Sequence, residues 1–205
     1  MLIDGGDLAI FLTAALTLNL TPGNDMMFVL GQSLKGGRPS GIAASVGIAT
    51  GSFIHLSLVA AGVAVLLQGH PGVFQAIRYA GAVYLLWLAW TALTTGPAQL
   101  ASRGVQRRPL KAWRDGMLVN LLNPKVIVFM FAFLPPFVRP EHGWPLVQLF
   151  ILGTIFNIGG TLINFLVALS SQAIARRLGK SRNGAVWFNR ASAGLFTLLA
   201  YRTLR

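Results

Sequence analysis

One carboxylate, Asp25, stands inside an otherwise apolar stretch, among the residue types that interrupt helices. From Leu16 to Leu30 the chain reads Leu-Thr-Leu-Asn-Leu-Thr-Pro-Gly-Asn-Asp-Met-Met-Phe-Val-Leu. On insertion scales a carboxylate at the centre of an apolar segment costs on the order of 2.5–3.5 kcal/mol, so it is rarely idle. It could hold the ammonium group of a small molecule or carry a proton. It could equally cap a restarted helix, where orphan N–H groups welcome an anion; the roles are compatible. Far along the chain, Val119-Asn120-Leu121-Leu122-Asn123-Pro124-Lys125-Val126 repeats the recipe with a cation. Lys125 could neutralise a carboxylate on a bound molecule, pair with Asp25, or snorkel on its long stem to an interface.

The elements that must position these groups are broken helices. Pro22 cannot donate to the ladder, so the Leu18 carbonyl loses its helical partner; Thr21 is pushed to extended geometry and Gly23 tolerates strain. Pro124 does the same to the second segment. The amides of Asn19, Asn24, Asn120 and Asn123 flank the breaks, where they could satisfy freed backbone groups or a ligand. The two breaks are expected to face each other. The candidate binding set is Asn19, Thr21, Pro22, Gly23, Asn24, Asp25, Asn120, Asn123, Pro124 and Lys125, and an anion with a cation there suits a small zwitterion. Asp25 and His55 are the candidates for proton coupling, although a lone membrane histidine also serves as hydrogen-bonded packing.

Composition says which solvent these helices see. Of 205 residues, 54% are hydrophobic and 11% charged, and mean hydropathy is +0.64, which places the chain among proteins that use lipid as solvent. Seventeen Lys and Arg against five Asp and Glu give a net charge of +12. The bases cluster in short loops between apolar runs, as the positive-inside rule demands, and no basic-aromatic stripe points to nucleic acid. With no cysteine, thiol redox chemistry and disulfides are excluded. Asp4 and Asp7 precede the first apolar run, unlike the basic start of a cleaved signal peptide, so that run is expected to remain as a span.

Six spans are expected, near 8–31, 41–67, 74–94, 117–138, 145–169 and 186–201. A tight basic loop (Lys35 to Pro39) follows the first, and a basic linker over about 96–111 separates halves 1–95 and 112–205 of a single domain, 1–205. The loops after the first, third and fifth spans hold Lys35, Arg38, Arg103, Arg107, Arg108, Lys111, Arg114, Arg176, Arg177, Lys180 and Arg182, against only Arg139 after the second and fourth. That charge bias is expected to put the odd loops in the cytoplasm and both termini outside; Arg202 and Arg205 argue the other way, and if the last segment does not fully cross, the C-terminus is cytoplasmic instead. The halves echo each other: Asn19-Leu20-Thr21-Pro22 with Asn120 to Pro124, and Gly51 and His55 with Gly160 and Asn164. Three spans per half is odd, so the second half must be inverted. The expected fold is all-α and polytopic, with six transmembrane helices in two inverted three-helix repeats and the first and fourth broken at Pro22 and Pro124. Gly47 and Gly51 have the spacing of a close helix contact.

The sequence resembles the LysE/RhtB family of amino-acid exporters in four motifs kept in order and spacing over essentially the whole chain. They are Asn19-Leu20-Thr21-Pro22-Gly23 with Asp25, Gly81 to Leu88, Asn120 to Lys125, and Phe133-Leu134-Pro135-Pro136-Phe137. The family pattern has proline where Asn24 stands and glutamine where Pro136 stands; losing the second proline of Thr-Pro-Gly-Pro, at position 24, is expected to soften the first break. The resemblance implies export of amino acids or related metabolites across the bacterial inner membrane, driven by the proton gradient, and a homodimer. It selects no particular amino acid. A carrier of another solute, such as a metal cation, is disfavoured by scarce carboxylates and absent cysteine. A non-transport membrane protein or enzyme would need a polar catalytic cluster, and only the breaks qualify. His55, His70 and His142 lack ligand spacing, and no P-loop, dinucleotide motif or Ser-His-Asp set is present, so neither metal nor cofactor is expected.

Overall fold

The computed structural model describes residues 3–66 and 108–178, together with the isolated helical positions 79, 83, 86, 87, 90, 93, 94, 193, 194, 197 and 201. Apart from those positions, the third and sixth expected spans lie outside the described residues, as does most of the basic linker. All regular structure among the described residues is helical.

Helix α1 (Gly5–Leu20) opens on Asp4, whose Oδ1 accepts from the N–H groups of Gly6 at 2.8 Å and Asp7 at 3.2 Å. Those two backbone donors, Asp7 first, hold the exposed Asp4 carboxyl below its ordinary range. The helix stops where Pro22 removes a donor. Thr21 is extended (φ −65°, ψ 118°), and its N–H makes the last helical bond, to the Thr17 carbonyl at 2.9 Å. The chain restarts as α2 (Asn24–Leu66), with the Gly23 carbonyl accepting from the Met27 N–H at 3.0 Å. The proline absent at position 24 therefore does not heal the break.

The basic stretch from Lys35 to Pro39 is less a loop than a single reversal inside α2. Gly37 sits at φ 73° and ψ −179°, a conformation that strains any residue with a Cβ, and Pro39 follows it. The arms 24–36 and 38–66 fold back on each other: a Cβ on Gly41 would collide with the Ser33 side chain, and Val29 and Leu30 share a buried cluster with Ala44 and Ile48.

Helix α3 (Pro109–Leu121) begins earlier than the expected fourth span. Pro109 occupies the first turn, where its missing N–H costs nothing, so Lys111 and Arg114 are helical residues and not linker. A 55° bend separates α3 from the next helical segment, 124–137. That segment starts with α4 (Pro124–Val128) and widens into a π turn, Phe129–Phe133, in which the Leu134 N–H reaches the Phe129 carbonyl at 3.0 Å. Pro135 and Pro136 cannot supply the next donors, and a 3₁₀ turn, Pro135–Phe137, closes the segment. Helix α5 (Pro145–Leu169) has the expected limits, and α6 (Ser171–Leu178) follows.

Packing joins the two halves. Phe11 of α1 meets Phe129 and Phe137 with ring centroids 6.0 and 5.5 Å apart, and Phe129 stacks on Phe156 of α5 at 4.3 Å. Ala193, from the sixth expected span, is buried in the same cluster. The α2 arm 38–66 lies so close to α3 that a Cβ on Gly47 would strike the Trp113 backbone and one on Gly116 would meet the Ala44 carbonyl oxygen at 2.5 Å. Gly47 thus serves helix contact, as its spacing implies. At the surface, Leu16, Leu58, Leu162 and Leu166 are exposed, an apolar exterior suited to acyl chains. Among the described residues the stretch Asn24–Gly62, which turns back at Gly37, and helix Pro145–Leu169 are long and apolar enough to cross a bilayer, and the bent pair makes a third where it is one span.

Candidate functional site

The two breaks meet. Lys125, in the first turn after Pro124, extends back to the first break, and its Nζ donates to the Thr21 carbonyl at 2.7 Å. Asp25, in the first turn after Pro22, takes a hydrogen bond from Asn120 Nδ2 at 2.8 Å. Lys125 therefore neither snorkels to an interface nor pairs with Asp25; its ammonium is bonded to the Thr21 carbonyl at the first break. Asp25 likewise reaches across to α3. Capping at the second break falls to Asn123, whose Oδ1 accepts from the Lys125 N–H at 3.1 Å.

Between the breaks and α5 lies a small polar cavity of about 40 Å³. Asn19, Thr21, Gly23, Asp25, Asn123 and Lys125 line it from the breaks, and Phe156, Gly160 and Asn164 from α5. An adjoining space of about 30 Å³ shares Asn19, Asp25, Phe156, Gly160 and Asn164, and adds Ser52, Asn120, Asn157 and Thr161. Asp25 thus stands where the two spaces join. Of the ten residues expected in the binding set, seven line these walls. Pro22, Asn24 and Pro124 do not: all three are exposed, and they shape the site through the backbone. His55 is buried outside the cavity lining, its Nε2 3.4 Å from the Asn120 carbonyl and its ring edge-on to Phe131.

Sequence reading left α5 out of the site. Asn157, Thr161 and Asn164 recur at the i, i+4, i+7 spacing that puts them on one helix face. Asn157 Nδ2 donates to the Ala49 carbonyl at 3.0 Å, and Thr161 Oγ1 donates to Asn157 Oδ1 at 3.2 Å. Polar side chains at helical spacing inside an apolar span were the available signal.

Two crossings brace the site from opposite sides. A Cβ on Gly160 would lie 2.9 Å from Asn19 Oδ1, and one on Gly51 would lie 2.9 Å from Asn120 Oδ1. In each, an asparagine just before a break occupies the space a glycine leaves open. Asn19 also donates Nδ2 to the Phe156 carbonyl at 3.1 Å. Among the described residues no group of three His, Cys, Asp or Glu side chains could hold a metal ion.

The family model described as LysE type translocator matches residues 16–205, a stretch that takes in both breaks and every residue of the cavity wall. The chain belongs to the LysE type translocator family. Among its relatives, an uncharacterised membrane protein of Pseudomonas aeruginosa is 33% identical, with 72% of each chain covered. A homoserine/homoserine lactone efflux protein of Salmonella typhimurium is 30% identical over 92% of this chain and 91% of its own. A leucine efflux protein of Klebsiella pneumoniae is 31% identical over 86% of this chain and 89% of its own. No solved structure matches. This LysE-type translocator is accordingly a multi-pass protein of the bacterial inner membrane and a transporter, not an enzyme.

Proposed function

We propose that the chain exports amino acids, or closely related small zwitterionic metabolites, as a proton-coupled secondary carrier working by alternating access around the two breaks. The observation that carries this reading is the meeting of a carboxylate and an ammonium, from different halves of the chain, around one polar cavity. An amino acid brings a carboxylate for Lys125 and an ammonium for Asp25, while the amides of Asn19 and Asn164 suit neutral polar contacts. Relatives named for efflux of leucine and of homoserine support the same substrate class.

The inverted repeat belongs to this reading. The Asn19–Gly160 and Asn120–Gly51 crossings pair each half's break with the other half's second span, as a pseudo-two-fold relation requires, at the same 2.9 Å approach. The homodimer implied by the family resemblance is carried with it, and crosslinking in native membranes tests it.

The test is efflux of labelled leucine and homoserine from liposomes holding the purified protein, with and without an inward proton gradient. Gradient-dependent efflux is expected for at least one of them, and Asp25→Asn should abolish the gradient-driven part while leaving the protein folded. Efflux indifferent to the gradient, or undiminished in Asp25→Asn, would overturn the coupled reading.

A further inference from the structure

Among the described residues, three buried polar atoms around the breaks have no hydrogen-bond partner: Asp25 Oδ1, Asn120 Oδ1 and His55 Nδ1. All three are acceptors. Asp25 Oδ1 belongs to a carboxylate, and Asn120 Oδ1 is an amide oxygen because Nδ2 is the atom that donates to Asp25. His55 follows from its partner: the Asn120 backbone carbonyl can only accept, so Nε2 carries the ring hydrogen and Nδ1 of the neutral imidazole holds a lone pair. One residue, Asn120, touches both of the others, through its side chain to Asp25 and its backbone to His55. Buried acceptors without donors are costly and uncommon, and what this cluster lacks is positive charge or a proton.

We propose that Asp25, Asn120 and His55 form one proton-binding unit, in which Asn120 is the positioning residue that ties the protonation of Asp25 to His55. This rests on the proton-coupled reading above and removes Asn120 from the set of cargo ligands. A proton arriving from the outer solution adds to the Asp25 carboxylate and makes it an O–H donor. The Asn120 amide then turns over, so that its Oδ1 accepts from that O–H and Nδ2 is released. The proton leaves Asp25 for the cytoplasm and the amide returns. His55 Nδ1 is the second acceptor: a proton taken there from the outer solution strengthens the Nε2 bond that holds the Asn120 backbone, and it is released to the cytoplasm when Asp25 loses its own. Around Asp25, among the described cavity residues, Lys125 is the other charged group, from α4; the polar groups that α1, α2, α3 and α5 add are neutral amides and hydroxyls, and Asn123 stands beside the second break. Asn120 is 1% exposed and wedged against Gly51, so the motion is a rotation in place.

The experiment compares wild type, Asn120→Ala and His55→Gln in liposomes, reading leucine and homoserine efflux against pH and, without cargo, proton uptake on acidification with a pH-sensitive dye. Gln can still donate to the Asn120 carbonyl but has no atom equivalent to Nδ1, so it separates packing from proton binding. Expected are a displacement of the pH profile by about one unit or more in both variants, reduced proton uptake, and a cargo KM within about twofold of wild type. A KM raised about tenfold with an unmoved pH profile would make Asn120 a cargo ligand and overturn the proposal. Gradient-dependent wild type with both variants unchanged in profile and uptake would also overturn it, and leave the coupled exporter standing. A wild type insensitive to the gradient would instead remove the coupled reading itself. If Asn120→Ala does not elute as a folded protein, His55→Gln alone decides by the same criteria.

Discussion

Replacing Gly116 with alanine puts a methyl carbon 2.5 Å from the Ala44 carbonyl oxygen and 3.2 Å from that residue's C and Cα. Carbon–oxygen contacts of this kind ordinarily stop near 3.3 Å, so α3 and the facing arm of α2 must part by about 0.8 Å. Backbone lies on both sides, and no flexible side chain can move aside. Overpacking of this kind costs about 1–3 kcal/mol, against about 1 kcal/mol returned by alanine's better helix propensity. The net loss should be about 0–2 kcal/mol against wild type and about 1–3 kcal/mol against a glycine-to-alanine change that has room for its methyl, a melting temperature about 2–12 °C below that control for a chain of this size. The same displacement stretches the 2.8 Å bond between Asn120 and Asp25 beyond hydrogen-bonding distance, so efflux should fall together with stability. Gly62→Ala is the control, because nothing lies within 4 Å of its added carbon. Size-exclusion chromatography after graded heating in detergent reads the stability, and liposome efflux the activity. Gly62→Ala gains the same helix propensity without the clash, so a Gly116→Ala protein that melts with Gly62→Ala would refute the claimed closeness of the two helices.

Pro124→Ala restores an N–H that can compete for the Asn120 carbonyl, now used by the Asn123 N–H at 3.0 Å and by His55. Straightening of the 55° bend and slower efflux are expected; wild-type turnover would mean the break is not needed for the cycle. Asp4→Ala removes the cap of α1. Because folding holds the Asp4 carboxyl below its ordinary value, the cap stabilises above a pH of about 4 and is lost as pH falls through the lowered native value. The variant should therefore melt below wild type at neutral pH and with it in strong acid, a convergence that melting curves across pH would detect. Asn157→Ala should loosen α5 from the Ala49 carbonyl and reduce efflux without altering its dependence on the proton gradient; a changed pH profile would place Asn157 in the proton path.

Proline, glycine and a charge in lipid are loud signals, and they made the two breaks and their meeting legible from residues alone. The limits of α5 were legible too, since its apolar run is bounded by Pro145 and by the polar Ser170 and Ser171. Facing was harder to read. Asn24 and Asp25 are neighbours beside the same break, yet a helix turns about 100° per residue, so one is exposed and the other lines the cavity. The Asn157, Thr161 and Asn164 face carries no charge, and its orientation depends on packing against α1 and α2 that no local pattern encodes. The start of α3 at Pro109 was hidden because basic composition looks the same in a loop and in a first helical turn.

The reversal at Gly37 has a mechanical meaning. A one-residue elbow has no slack, so the arm 24–36 cannot slide along its neighbour and can only tilt, as a short lever with Asp25 near its free end. Any force that swings the carboxylate is felt at the elbow, about three turns away, beside Lys35 and Arg38. Spin labels at Lys35 and on α5 would register cargo binding at a distance from the cavity, in a chain whose lack of cysteine leaves every introduced thiol unambiguous.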